Sequence, residues 1–338
     1  MQKIIFLTFL LVSGCAQVTS LGLKKHEFGS VPSKIIWFQV AGLSEEHLAL
    51  LKYGPDAKGL SFERAMCVGK VWNYNLYHLR NTSQLTFMSQ MSGTKNVTEN
   101  CSEFKAKPIW NYLKDNGYAS AILESEADDD QRLNWYFQCD KAPSADLQNL
   151  SYWVRSKKGD ANQSYFPGEN YQRGKRGIFT NRSCLQGECL STLNEDFLHV
   201  ERQLAAESKK YLLIVRDFTF LNSLKVNNFK QAKSKLLELA QLYQFALKLS
   251  EESGDHLILL TSSESKVIQL PKEGKDWFNF ERGKITPQQS PSLINLSLAS
   301  GARSENFCGF YDDSQILDRI LSGPKQQGLE LKFINPFN

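Results

Sequence analysis

Four short apolar runs, spread between positions 35 and 261, set the hydrophobic pattern of this chain. They are rich in Ile, Leu and Val and lack the regular polar–apolar alternation of strands with one solvated face. This pattern predicts strands that are buried on both faces. The runs are residues 35–41, 118–123, 211–215 and 257–261.

Helical periodicity fills two of the intervals between these runs. Residues 227–249 carry apolar side chains at spacings of three and four, and Asn227 or Asn228 can cap the start. Residues 107–116 predict a second helix, closed by Gly117 in a position that needs a positive φ. Alternating strands and helices predict an α/β fold, a three-layer sandwich with a mostly parallel central sheet. In that fold class, functional sites form at the carboxyl ends of the strands.

The regular pattern breaks between residues 139 and 192, which predicts an inserted cap. Residues 155–182 hold seven basic and two acidic side chains, a net charge of +5 in a chain whose total is +4. Aromatic residues accompany these charges, as they do in many contact surfaces. Arg173, Lys175 and Arg176 are therefore candidate ligand-binding residues for an anionic envelope component or the acidic face of a partner. The alternative is a solvated excursion whose charges only maintain solubility.

The N-terminus has the pattern of a bacterial lipoprotein signal peptide, which predicts processing before Cys15. Lys3 precedes a short apolar run at residues 4–12, and small residues lead directly to Cys15. The alternative is an ordinary signal peptide with a chance cysteine. We therefore expect residues 1–14 to be removed, Cys15 to carry the lipid, residues 15–33 to form a tether, and residues 34–338 to form the domain. Ala16 follows the cysteine where an inner-membrane retention signal has Asp, which favours the outer membrane.

Charge and cysteine content fit an exported protein. A net charge of +4 over 338 residues is too small to indicate a nucleic-acid binder. Without Cys15, six cysteines remain, and an even number in an oxidising compartment permits three disulfides among fifteen possible connectivities. Cys184 and Cys189, separated by a turn-forming spacer, are the first candidate pair.

An ordered set of segments resembles the alkaline phosphatase superfamily over most of residues 34–320. In that family a Ser or Thr nucleophile opens a helix and a Thr-Gly pair follows nine residues later; Ser83 and Ser92-Gly93 stand in those positions. Residues 40–42 resemble the first strand's metal-binding Asp-Gly, and residues 109–118, 211–216, 255–264 and 300–307 resemble later segments in the same order.

The chain departs from this family where metal ligands are expected. The resemblance implies two zinc ions held by Asp and His at the strand ends, yet Ala41, Arg216 and the pair Ser263-Glu264 occupy those positions. Neutral and cationic replacements cannot hold two dications. We therefore expect the zinc and magnesium site to be lost, with no cofactor and no metal-binding residue in its place.

Three polar residues remain as catalytic candidates, each with a structural alternative. Ser83 is a possible nucleophile or a helix cap, Asp217 a possible base or a partner of Arg216, and Glu264 a possible general base or a solvated carboxylate. Arg216 is also a candidate for binding an anionic ligand. The leading functional hypothesis is a non-catalytic envelope lipoprotein that binds an anionic ligand or a protein partner. The alternative is a phosphate or sulfate ester hydrolase with a divergent site around Ser83.

Overall fold

The computed structural model describes residues 31–53, 61–98, 106–127, 132–133, 150–155, 164–165, 171–173, 178–181, 191–283 and 287–322. Among the described residues, eleven strands form a central sheet in the order β13-β2-β12-β9-β1-β8-β3-β4-β7-β6-β5, and β10 and β11 form a separate antiparallel pair. The strands are β1 (Lys34–Ala41), β2 (Cys67–Trp72), β3 (Ala119–Ser125), β4 (Ser151–Arg155), β5 (Ser164–Tyr165), β6 (Tyr171–Arg173), β7 (Ile178–Asn181), β8 (Tyr211–Asp217), β9 (His256–Ser263), β10 (Lys266–Ile268), β11 (Gln289–Pro291), β12 (Ile294–Gly301) and β13 (Gly309–Asp312).

The sheet is mostly parallel, and this brings several strand ends together at one edge. β9, β1, β8 and β3 are consecutive parallel neighbours. β12 runs antiparallel between β9 and β2, so β2 and β13 again point the same way as β1. The carboxyl ends of β1, β8, β9 and β2 therefore share the edge where an α/β sheet forms its sites.

Helices cover both faces of the sheet, as the three-layer prediction requires. One face packs against α2, α3 and α8 through a core that includes Phe87, Trp110 and Ile316. The other packs against α4, α5 and α6 through a core that includes Phe197 and Leu236. The helices are α1 (Glu45–Lys52), α2 (Ser83–Ser92), α3 (Ile109–Lys114), α4 (Leu193–Glu207), α5 (Thr219–Lys225), α6 (Phe229–Ser253), α7 (Gly274–Glu281) and α8 (Ile316–Leu321).

The predicted α/β class is confirmed, and the four apolar runs are β1, β3, β8 and β9. These strands are buried almost throughout, which explains their unbroken hydrophobicity. The long periodic segment is α6, and Asn228 caps it by accepting a hydrogen bond from the Gln231 backbone N–H. Gly117 has a φ of +79°, the positive value expected after the shorter helix.

Within the region predicted as a cap, the described segments extend the central sheet. β4 pairs in parallel with β3, β7 pairs in parallel with β4, and β6 and β5 follow as antiparallel strands. The expected departure from the sheet does not occur at residues 151–155 and 178–181. Their pairing with the sheet edge was hidden in the sequence because these strands are short and separated by long connections. The boundaries of a cap over 139–192 stay a prediction.

A disulfide joins Cys67 to Cys308, with the two Cα atoms 4.8 Å apart. It links the first residue of β2 to the residue before β13, where Gly309 pairs with Gly69. Gly69 is required here, because a Cβ at this position would lie 2.5 Å from the Phe307 carbonyl oxygen. The bridge therefore ties an edge strand to its neighbour across 241 residues of sequence. Cys184 and Cys189 lie outside the described residues, so that predicted pair stays a prediction.

Within the described ranges, no helix combines the length and the apolar composition needed to cross a membrane.

Candidate functional site

Ser83 lies at the carboxyl edge of the sheet as the first residue of α2. Thr82, rather than Ser83, caps this helix: its hydroxyl accepts a hydrogen bond from the Leu85 backbone N–H at 3.3 Å. Gly93 closes the helix with a φ of +69°. Ser83 itself is fully buried. The helix begins where the resemblance implies, but the nucleophile position is inaccessible to solvent.

Glu264 covers Ser83 and supplies a negative charge at the start of α2. Its Oε2 atom accepts hydrogen bonds from the Ser83 hydroxyl at 3.0 Å and from the Ser83 backbone N–H at 3.3 Å. Oε1 lies 3.2 Å from the Nζ of Lys266. Glu264 reaches this position from the end of β9 through a positive φ of +48°. A carboxylate of the protein thus occupies the helix N-terminus, which attracts anions through its unpaired N–H groups and dipole.

Arg216 is the second feature of the site, and it is fully buried. It faces Gln39 on β1 and Glu124 on β3, which are its register partners on the two neighbouring strands. The guanidinium forms an ion pair with Glu124 through its Nη1 atom. It also donates to the side-chain oxygens of Gln39 at 3.3 Å and Gln84 at 2.7 Å. The ring of Phe87 lies against the same group, with its centroid 4.2 Å from Cζ.

Further hydrogen bonds hold the partners of Arg216 in place. Glu124 accepts from the Tyr152 hydroxyl and, at 3.2 Å, from the Leu133 backbone N–H. Burial, followed by the proximity of Glu124, raises the pKa of Tyr152 well above its ordinary value, so this hydroxyl stays protonated and donates. Gln39 donates to the Gln90 side-chain oxygen at 3.0 Å. The position expected to bind a ligand is therefore a preorganised internal network.

Asp217 lies next to Arg216 in sequence but on the opposite face of the sheet, since consecutive strand residues alternate. Its Oδ1 accepts from the backbone N–H and hydroxyl of Thr219, at 3.0 and 2.7 Å. Burial raises the pKa of Asp217 to about 6, and the Thr219 hydrogen bonds oppose this shift. The expected pairing of Asp217 with Arg216 is wrong, because the two side chains are buried on opposite faces of the sheet.

The strand-end residues do not fit a pair of zinc ions. A guanidinium has no lone pair to offer and remains positively charged, so Arg216 repels a dication rather than binding it. Ala41 and Ser263 supply no carboxylate or imidazole at the ends of β1 and β9. Glu264 is engaged with Ser83 and Lys266. In the part of the chain that the structure describes, no group of three His, Cys, Asp or Glu side chains is placed to hold a metal ion.

The structure brings Ser83 and Glu264 together and keeps the other candidates apart from them. Arg216 donates to Gln84, the residue after Ser83, but Asp217 lies on the far face. Arg173 belongs to β6, for which only the backbone is described. Lys175, Arg176 and Cys15 lie outside the described residues. His47, His78 and His199 belong to three separate segments; burial lowers the pKa of His47 to about 3.

Comparison of the whole fold with known proteins gives a consistent result. No protein-family model and no curated protein matches the sequence. The alkaline phosphatase of the Antarctic bacterium TAB5 matches with a TM-score of 0.64 at 12% identity, over 86% of this chain and 98% of that one. The Thermus thermophilus alkaline phosphatase matches with a TM-score of 0.61 at 11% identity, over 90% and 94%. The lipoteichoic acid synthase LtaP from Listeria monocytogenes matches with a TM-score of 0.50 at 12% identity, over 86% and 71%.

At these low sequence identities, the structural matches establish the fold and nothing finer. The chain has an alkaline phosphatase-like fold, as the order of its segments implied.

Most of the network around Arg216 was not predicted from the sequence. Glu124, Gln39 and Gln84 were not singled out, although all three are buried polar residues. The available signal was their position: Gln39 interrupts one apolar run, and Glu124 directly follows another. Polar residues in such places need internal partners, because burying them unpaired costs free energy.

Proposed function

We propose that this chain is a non-catalytic protein with an alkaline phosphatase-like fold, anchored by lipid at the bacterial cell envelope, where it binds an anionic ligand or a protein partner. The observation that carries the proposal is the buried ion pair between Arg216 and Glu124 at the strand ends. This pair occupies the strand ends at which the resemblance implies a metal centre, and its two charges balance each other. No metal is then needed for charge balance at this edge.

The arrangement at α2 supports the same proposal. A phosphate ester would approach the helix N-terminus near Ser83, and the carboxylate of Glu264 already lies there. A second anion at this point would meet like-charge repulsion from Glu264. The Ser83 hydroxyl is buried beneath that carboxylate. Both features favour a binding protein that has kept the fold over an enzyme that hydrolyses phosphate esters.

A hydrolase is the second candidate function, and the distance between the Ser83 hydroxyl and Glu264 favours it. The 3.0 Å hydrogen bond from the Ser83 hydroxyl to Glu264 is the geometry in which a carboxylate can take a proton from a nucleophile. Reaction would require Glu264 to leave the helix N-terminus enough to admit substrate while remaining close to the hydroxyl. The burial of Ser83 favours the non-catalytic proposal.

Turnover of activated aryl phosphate and sulfate esters distinguishes the two candidates. We expect the purified protein, assayed with added zinc and magnesium, to hydrolyse both esters no faster than Ser83→Ala and Glu264→Gln. Matched purification of the three proteins controls for contaminating phosphatases. A wild-type rate well above that of both variants would establish the hydrolase and refute the non-catalytic proposal.

The envelope location rests on the segment before Cys15 and has its own test. Two or three acyl chains hold a protein stably on a membrane, whereas one chain does so only marginally. We expect the exported protein to remain with membranes through a high-salt wash, and Cys15→Ala to release or mislocalise it. Wild-type protein that is found in the soluble fraction after export would contradict lipid anchoring.

A further inference from the structure

Four aromatic residues lie exposed or partly exposed near the carboxyl ends of β2 and β13, and we call them the aromatic surface: Trp72, Tyr74, Tyr77 and Phe310. Phe310 is 66% exposed, Tyr77 58% and Trp72 40%. The rings of Trp72 and Phe310 lie 6.3 Å apart at 38° to each other. Large apolar side chains grouped in this way on a protein surface mark binding sites more often than isolated ones do.

Two adjoining cavities lie at the aromatic surface, and Trp72 and Tyr74 line both of them. The larger, of about 710 Å³, is also lined by Tyr77, His78 and Arg80. The smaller, of about 360 Å³, is also lined by Phe310, Asp312 and Gln315. Both volumes lie in the range of small-ligand sites, which combine apolar walls with a few polar groups. Because they share two walls, the two cavities lie side by side.

The loop that carries Tyr77 and His78 is fixed mainly by the buried side chain of Asn75. The side-chain oxygen of Asn75 accepts from the backbone N–H groups of Tyr77 and His78, at 2.8 and 2.6 Å. The amide of Asn75 donates to the Val97 carbonyl oxygen at 2.9 Å. The Tyr77 hydroxyl donates to Asn96 at 2.8 Å. A surface that is already ordered loses less entropy when it binds.

Charged groups give the site a polar rim. Lys95 lies 3.5 Å from the centroid of the Tyr74 ring and 2.9 Å from a carboxylate oxygen of Asp312, which lines the smaller cavity. Arg80 is exposed at the rim of the larger cavity. A ligand that fits must therefore present apolar faces to the rings and hydrogen-bonding groups at its edges.

We propose that the aromatic surface binds a chain of pyranose sugars. A pyranose ring has C–H groups on its faces and hydroxyl groups around its edge. The C–H groups carry partial positive charge and are attracted to the negative faces of aromatic rings. The hydroxyl groups match His78, Arg80, Asp312 and Gln315 at the rim. Two cavities side by side fit successive sugar units, with one unit against Trp72 and Phe310 and the next against Tyr77.

This inference goes beyond the proposed function, because it assigns a class of ligand to a second surface, which lies beside the Ser83 site rather than in it. The residues between β2 and α2 link the two regions: Trp72 ends β2, and Ser83 begins α2. Turnover at Ser83 and sugar binding at the aromatic surface are separate measurements. Failure of one is therefore distinguishable from failure of the other.

Calorimetric titration with three hexasaccharides tests the proposal: cellohexaose, which is neutral, chitohexaose, which is N-acetylated, and hexagalacturonate, which is acidic. We expect at least one to bind, and Trp72→Ala/Phe310→Ala to weaken that binding about tenfold or more, the effect of losing two ring contacts. Phe278→Ala is the matched control, because Phe278 is 62% exposed on α7 and lines neither cavity. Binding by this control should equal that of the wild type.

Several outcomes would overturn the proposal. One is that none of the three sugars binds. A second is that binding persists unchanged in a folded Trp72→Ala/Phe310→Ala protein. A third is binding of hexagalacturonate alone that Arg80→Gln abolishes and the aromatic variant does not, which indicates charge attraction only. A fourth is a wild-type dimer that the aromatic variant dissociates, which assigns the surface to self-association.

Discussion

Replacing Arg216 with Met is expected to lower the free energy of unfolding by about 3–5 kcal/mol. The cost arises because Glu124 is 1% exposed and loses its cationic partner, while Gln39 and Gln84 lose a donor. A buried carboxylate without a partner is strongly unfavourable. Urea denaturation at neutral pH measures the change.

Two further variants identify the buried ion pair as the cause. In Arg216→Met/Glu124→Gln the unpaired charge is gone, so we expect much of the lost stability to return. Arg64→Met is the matched control: Arg64 pairs with Glu251, and both side chains are about half exposed, so its loss should cost no more than about 1 kcal/mol. An effect of Arg216→Met as small as that of Arg64→Met would contradict the structural account of this network.

Loss of the Cys67–Cys308 disulfide is expected to have a comparably large effect. In Cys67→Ser/Cys308→Ser the unfolded chain regains the freedom of a loop of 241 residues, which predicts a loss of about 2–5 kcal/mol. The folded state also loses the covalent link between β2 and β13 at the edge of the sheet. Thermal and urea unfolding without reductant measure the loss.

The same experiment with reductant serves as its control. Reduction removes the bridge from the wild type, so its unfolding midpoint should approach that of the double variant under identical conditions. Equal stability of the two proteins without reductant would show that the bridge does not contribute.

The central strands were predictable because their burial leaves a continuous apolar run in the sequence. The strands at the sheet edge were not: β2 alternates between buried and exposed positions, and Lys70 and Gly69 interrupt its hydrophobicity. The same exposure that hides β2 in the sequence places Trp72 on the aromatic surface. The hydrophobic pattern of the sequence therefore predicts the central strands of the sheet better than the outer strands that carry the aromatic surface.

The contacts within the site join residues that are far apart in sequence, and such contacts could not be predicted from the sequence. Ser83 and Glu264 were each singled out, and both were placed near strand ends, but their contact spans 181 residues and depends on the positive φ of Glu264. The partner of Arg216 lies 92 residues away on β3. Six cysteines likewise permit fifteen connectivities, and only the folded sheet brings Cys67 beside Cys308. The residue types in the sequence indicate which side chains need partners, whereas the fold determines which partners they contact.

We infer that the buried pair of Arg216 and Glu124 excludes metal from the strand ends at which the resemblance implies two zinc ions. Elemental analysis of protein purified after growth with added zinc tests it most directly. The account predicts well under one zinc ion per chain, because the Arg216 guanidinium repels a dication and offers it no ligand atom. Two zinc ions per chain, lost together on substitution of Glu264 or Asp217, would contradict it.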